Sequence, residues 1–149
     1  MKLAFILWLA NLLPQPVADP LCLTTTVYLE ARDQSEDGQR AVAEVALRRR
    51  DSGLWGATVC DVVTAHKQFA PTLIHPGHRL KSPVAWAKAA RIAFSEQAAW
   101  ARPPGQRREL VPGASHFVAL ELADPAWAAS TPVATIGDHT FYRILRLAP

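Results

Sequence analysis

Cys22-Leu23-Thr24-Thr25-Thr26-Val27-Tyr28-Leu29-Glu30-Ala31-Arg32 sets a carboxylate on a stripe that otherwise faces a core. At helical spacing Leu23, Val27 and Glu30 fall at i, i+4 and i+7 on one face, which puts Glu30 at the edge of the core and partly out of water. Desolvation disfavours the charged form and raises the pKa. A glutamate raised toward neutrality can give a proton to a leaving oxygen, the general-acid role in breaking a glycosidic bond. The competing reading is a buried ion pair with an arginine such as Arg49, since structural pairs also perturb pKa values.

Upstream, Met1-Lys2 and the apolar run Leu3 to Leu13, broken by Asn11, precede Pro14, Pro16 and Pro20. A basic start and a short apolar stretch read as an export segment, the competing reading being an ordinary buried N-terminal strand or helix. The run falls well short of the roughly 20 residues needed to cross a bilayer. The expected organisation is therefore a signal peptide or signal-arrest-release segment over residues 1–18 and one catalytic domain over 19–149. The implied location is periplasmic or extracellular, with transient membrane contact through the N-terminal segment. Half of the 149 residues are hydrophobic, enough for a single small core. Two cysteines in an exported chain suggest a Cys22–Cys60 disulfide, worth roughly 3 to 4 kcal/mol in the chain-entropy account.

Downstream, Ser35 can cap a helix from near Glu36 whose stripe is Ala41, Val42, Val45, Ala46 and Arg49, ending at Asp51-Ser52-Gly53. The preceding helix is expected from about Pro20 to Asp33. Thr58 can cap a short helix through Cys60, Val62, Val63 and Ala65. A long loop follows from Ala70 to Lys81, and then Ser82-Pro83 opens an alanine-rich helix through Trp86, Ala90, Phe94 and Trp100. Strand patterns appear at 115–119, 133–136 and 139–144, the last two joined by Gly137-Asp138 as a hairpin. The class is α+β, mostly helical.

The net charge of +3, with dense basic clusters at Arg48-Arg49-Arg50 and Arg107-Arg108, lacks the basic and aromatic stripe of a nucleic-acid groove, so no nucleic-acid partner is expected. His66, His75, His78, His116 and His139 form no H-E-x-x-H, and the chain has no G-x-S-x-G elbow, P-loop or G-x-G-x-x-G. Neither a metal nor another cofactor is expected, and a monomer is.

Several runs together are similar to one family. They are Val27-Tyr28-Leu29-Glu30-Ala31-Arg32, Gly38-Gln39-Arg40-Ala41-Val42-Ala43-Glu44-Val45, Thr58-Val59-Cys60-Asp61-Val62-Val63, Gln68-Phe69, Ala114-Ser115-His116-Phe117, Pro125-Ala126-Trp127 and Ile136-Gly137-Asp138-His139-Thr140-Phe141-Tyr142. In this order, the set resembles the SleB/CwlJ-type cell wall hydrolase family, which includes spore-cortex lytic enzymes and phage endolysins. The resemblance implies a lysozyme-like fold, peptidoglycan as substrate, and Glu30 as catalytic acid. Leu29, where the family commonly has glycine, and Arg48-Arg49, where it commonly has Asn-Arg, depart from the pattern without removing the acid.

The expected reaction is that of a lytic transglycosylase. Glu30 protonates the oxygen between N-acetylmuramic acid and N-acetylglucosamine, then takes the proton of the muramoyl O6 hydroxyl as that oxygen closes on C1. A hydrolytic muramidase would usually need a second carboxylate. Its candidates, Glu36, Glu44 and Asp138, have no compelling placement, and Glu44 is expected on a wet face. Gln68, His116 and Tyr142 are candidates for sugar contact or for orienting Glu30, whereas Phe69, Trp127 and Phe141 read as core. The competing classes are a zinc amidase cutting the peptide stem and a non-catalytic wall-binding accessory domain.

Overall fold

Hydroxyl side chains start the helices where the sequence marks them. In a computed structural model of the chain, which describes residues 1–66 and 68–144, Ser35 Oγ accepts the Gly38 N–H at 3.2 Å and Ser82 Oγ accepts the Ala85 N–H at 3.1 Å. Thr58 Oγ1 accepts the Asp61 N–H at 3.0 Å while the Asp61 carboxylate accepts the Thr58 N–H at 3.1 Å, a reciprocal cap. The helices are α1 (Leu3–Ala10), α2 (Gln15–Ala31), α3 (Glu36–Ser52), α4 (Val59–Thr64) and α5 (Pro83–Trp100). The strands are β1 (His116–Val118), β2 (Pro132–Ile136) and β3 (His139–Tyr142), in an antiparallel sheet of order β1-β3-β2. The chain is thus mostly helical α+β, as its patterning indicates. The end of the domain expected to reach Pro149 lies outside the described residues.

Helix α2 is the axis of the fold, packed by α1, α3, α4 and α5. Leu23, Val27, Tyr28 and Ala31 are fully buried, and so are Thr24, Thr25 and Thr26. Buried hydroxyls need partners, and two find them one turn back: Thr24 donates to the Pro20 carbonyl at 2.7 Å and Thr25 to the Leu21 carbonyl at 2.9 Å. The Tyr28 hydroxyl accepts the Lys81 and Ser82 N–H groups at 3.1 and 3.3 Å, pinning the end of the long loop to α2.

This helix begins at Gln15, upstream of the expected start at Pro20, which lies inside it. Pro16 supplies the first-turn proline. Tertiary contacts hold the segment against the cost of an interior proline, about 3 kcal/mol. Asp19 is buried and accepts the Val59 and Cys60 N–H groups at 3.1 and 3.4 Å, and Cys22 is joined to Cys60 by the expected disulfide.

Helix α1 packs on the same body. Leu3, Ile6 and Ala10 are buried, the Leu3 N–H donates to the His78 carbonyl at 3.0 Å, and the Leu80 N–H donates to the Met1 carbonyl at 2.8 Å. Residues 1–18 therefore comprise α1 and the opening of α2, which runs unbroken across position 18. Among the described residues no helix is long and apolar enough to cross a membrane.

The hairpin turn sits against the end of α2. Gly137 has φ +58°, and a Cβ there would meet Gln34 Oε1 at 2.3 Å. The Gln34 side chain accepts the Asp138 N–H at 3.0 Å and donates to Asp138 Oδ2 at 2.8 Å. Two reciprocal bonds thus latch the β2–β3 turn to the α2–α3 corner.

Candidate active site

Glu30 lies in the last turn of α2, half-buried, beyond the fully buried Leu23 and Val27 of its own stripe. Its Oε1 accepts the Ala70 N–H at 2.6 Å. Ala70 opens a single 3-10 turn (Ala70–Thr72), so the donor is one of the N–H groups a helix start leaves unpaired. Burial raises the Glu30 pKa above its ordinary value, and the Ala70 hydrogen bond and the charge of Arg49 offset only part of that rise.

Arg49 projects from α3 into the same region and is 5% exposed. Its Nε donates to the Ser115 carbonyl at 2.7 Å and its Nη1 to Gln68 Oε1 at 3.3 Å. The guanidinium lies over the rings of Trp55, 4.6 Å from its centroid, and Phe69, 4.9 Å away. Trp55 Nε1 donates to the same Gln68 oxygen at 3.1 Å. Arg49 therefore joins α3, the segment after α4 and the start of β1 beside the acid, beyond its effect on the Glu30 charge.

Aromatic rings continue from this hub. His116 packs between Trp55, at 6.0 Å between centroids, and Trp127, at 5.1 Å, and its Nδ1 is 2.9 Å from Ser115 Oγ. Trp127 meets the edge of Tyr142 at 5.4 Å. On the inner side Phe117 touches Phe69, Phe141 and His139. His139 is buried, desolvation lowers its pKa, and its Nδ1 has no partner among the described residues.

Of the residues singled out in the sequence, Gln68 is exposed beside Arg49 and Trp55, and His116 is half-buried between two tryptophans. Tyr142 is 2% exposed and reaches the cluster through Trp127. Phe69 and Phe141 are core, as expected, while Trp127 is half-buried. Sequence reading did not mark Trp55, quoted Ser115 only within the run Ala114-Ser115-His116-Phe117, and gave Arg49 a place on a helix stripe and a part as ion-pair partner without seeing it as a hub.

The other carboxylates are occupied elsewhere. Glu36 pairs with Arg40 at 3.0 Å and Arg91 at 2.8 Å, which holds its pKa down at about 2. Asp138 belongs to the Gln34 latch. Glu44 is not on a wet face: it is 1% exposed and accepts the Leu110 and Val111 N–H groups at 2.7 and 3.0 Å. The loop after α5 folds over it and brings those donors, so the face is covered. Glu44 also lines a polar cavity of about 450 Å³ with Arg40, Glu96, Arg102 and Arg108, which shares no residue with the Glu30 cluster. A smaller, mostly apolar cavity of about 250 Å³ adjoins that cluster through Arg49, Trp55 and Ser115. Among the described residues no three His, Cys, Asp or Glu side chains are grouped to hold a metal ion.

A half-buried carboxylate of raised pKa beside a hub of arginine, amide and aromatic rings has the chemistry to donate a proton. Residues 33–142 match a family model described as Cell Wall Hydrolase, and the chain belongs to this cell wall hydrolase family. The match takes in Gln68, His116 and Tyr142 and begins just after Glu30. No curated protein and no solved structure matched the chain.

Proposed function

We propose that the protein cleaves the glycan strand of peptidoglycan as a lytic transglycosylase, with Glu30 as its acid and then its base. The observation that carries this reading is Glu30 itself: a carboxylate kept partly out of water, with raised pKa and one oxygen fixed by the Ala70 N–H. A protonated Glu30 would donate to the glycosidic oxygen between N-acetylmuramic acid and N-acetylglucosamine. As the C1–O bond breaks, the resulting carboxylate would accept the proton of the muramoyl O6 hydroxyl, whose oxygen bonds to C1 and gives the 1,6-anhydro product. The substrate supplies the nucleophile, so a second carboxylate is not required. The engagement of Glu36, Asp138 and Glu44 with other partners supports the single-acid route over a two-carboxylate muramidase.

Gln68 and His116, on the open side of the hub, are the proposed sugar contacts, with Tyr142 supporting them from beneath Trp127. The Cys22–Cys60 disulfide supports action outside the cytoplasm, since such bonds persist in oxidising compartments.

The test is mass spectrometry of soluble fragments released from purified peptidoglycan by wild type and Glu30→Gln in parallel. Anhydromuramoyl ends from wild type alone are expected. Reducing ends would replace the reading with hydrolysis, and freed stem peptides on intact glycan would replace it with an amidase. No product from either protein would leave the accessory domain.

A further inference from the structure

We propose that the outward face of α1 docks the folded domain on an anionic lipid bilayer. Helix α1 carries two apolar stripes. The inner one, Leu3, Ile6 and Ala10, is buried on the domain. The outer one is Phe5 and Trp8, 49% and 56% exposed, and the residues flanking the helix, Met1 and Leu12, extend this apolar surface at 65% and 64% exposed. Phe5 and Trp8 stack on each other at 5.6 Å, so part of this surface is a preformed aromatic pair. A helix that is apolar on both sides is normally covered on both.

Charge selects what covers it. Lys2 is exposed and is bridged through the backbone to Arg79, and Arg79 and Lys81 are exposed on the loop that pairs with the start of α1. The sequence has no Asp or Glu before Asp19, and none between Asp61 and Glu96. The chain around the apolar stripe is thus one-signed. A second copy would bring the same positive charge to the contact, whereas anionic headgroups complement it. An eight-residue helix is about 12 Å long, far short of the roughly 30 Å hydrocarbon core, so α1 lies in the interface and does not span it. The aromatic rings enter the headgroup boundary, and Lys2, Arg79 and Lys81 meet the phosphates.

Flotation of the purified full chain with phosphatidylglycerol-containing and pure phosphatidylcholine vesicles tests the proposal. Wild type should float with the anionic vesicles and not the neutral ones, and added salt should release it. Phe5→Ser with Trp8→Ser should cut the bound fraction roughly tenfold or more. Lys2→Glu with Arg79→Glu and Lys81→Glu should cut binding by at least about fivefold per residue changed. Unchanged circular dichroism and glycan cleavage would show that these variants fold. Glu30→Gln should float like wild type, which separates this test from that of the catalytic reading. The proposal is overturned if wild type does not float or if the charge variant floats equally well. Mature protein beginning after residue 18 would overturn it too, as would lipid-free dimerisation abolished by the Phe5/Trp8 variant.

Discussion

Replacing Arg49 with methionine should alter both stability and the pH range of catalysis. The substitution keeps most of the stem volume and removes the guanidinium. It withdraws a donor from the Ser115 carbonyl at 2.7 Å and from Gln68 Oε1 at 3.3 Å, and it ends the stacking on Trp55 and Phe69. An orphaned acceptor costs about 1–3 kcal/mol, and the lost cation–ring contacts about 1 kcal/mol more, so a loss near 3 kcal/mol is expected. For a domain of this size that lowers Tm by about 10 °C. The positive charge of Arg49 also holds the Glu30 pKa below what burial alone would give. Without it the pKa rises further and the proton-donating form persists to higher pH. The alkaline limb of kcat/KM on purified peptidoglycan should then move upward, while Arg49→Lys, which keeps the charge, leaves the limb near its original place and still loses stability. A methionine variant whose alkaline limb stays put, or moves down, would refute the electrostatic coupling. A loss below about 1 kcal/mol in urea would refute the hub.

Cys22→Ser and Cys60→Ser should each cost about 4 kcal/mol in the chain-entropy account for a separation of 38 residues, and the double variant should cost no more than either; additive losses in denaturant titrations would contradict the bridge. Gly137→Ala places a methyl group against Gln34 Oε1 in a left-handed turn, and about 2 kcal/mol of destabilisation is expected, so an unchanged urea midpoint would show that the latch is not tight.

Local chemistry was legible in the sequence, and distant partners were not. Ser35, Thr58 and Ser82 mark three helix starts because a capping side chain bonds to N–H groups within the next turn. Gly137 marks the hairpin because the turn needs its positive φ. The Leu23–Val27–Glu30 stripe placed the acid at the core edge for the same reason: helical spacing is local. Glu44 was misjudged because its burial depends on backbone donors at Leu110 and Val111, which leave no trace in the periodicity of α3. Arg49 falls on the core stripe, but its partners Gln68 and Ser115 come from two distant stretches of chain outside the helices and strands. The early start of α2 was hidden by Pro20, whose ordinary effect is overruled by Asp19 and Cys22 gripping α4.

The latch between Gln34 and Asp138 spans 104 residues of chain. During synthesis Glu30 emerges well before the hairpin that closes on its helix end, and β3 must then slot between β1 and β2. A chain truncated before β2 therefore holds Glu30 without the hairpin that Gln34 latches and without the Trp127–Tyr142 contact of the aromatic cluster. Contacts of such long range form slowly. The proposed site is thus complete only once the hairpin has been made, and a fragment that carries Glu30 alone is expected to release no product from peptidoglycan.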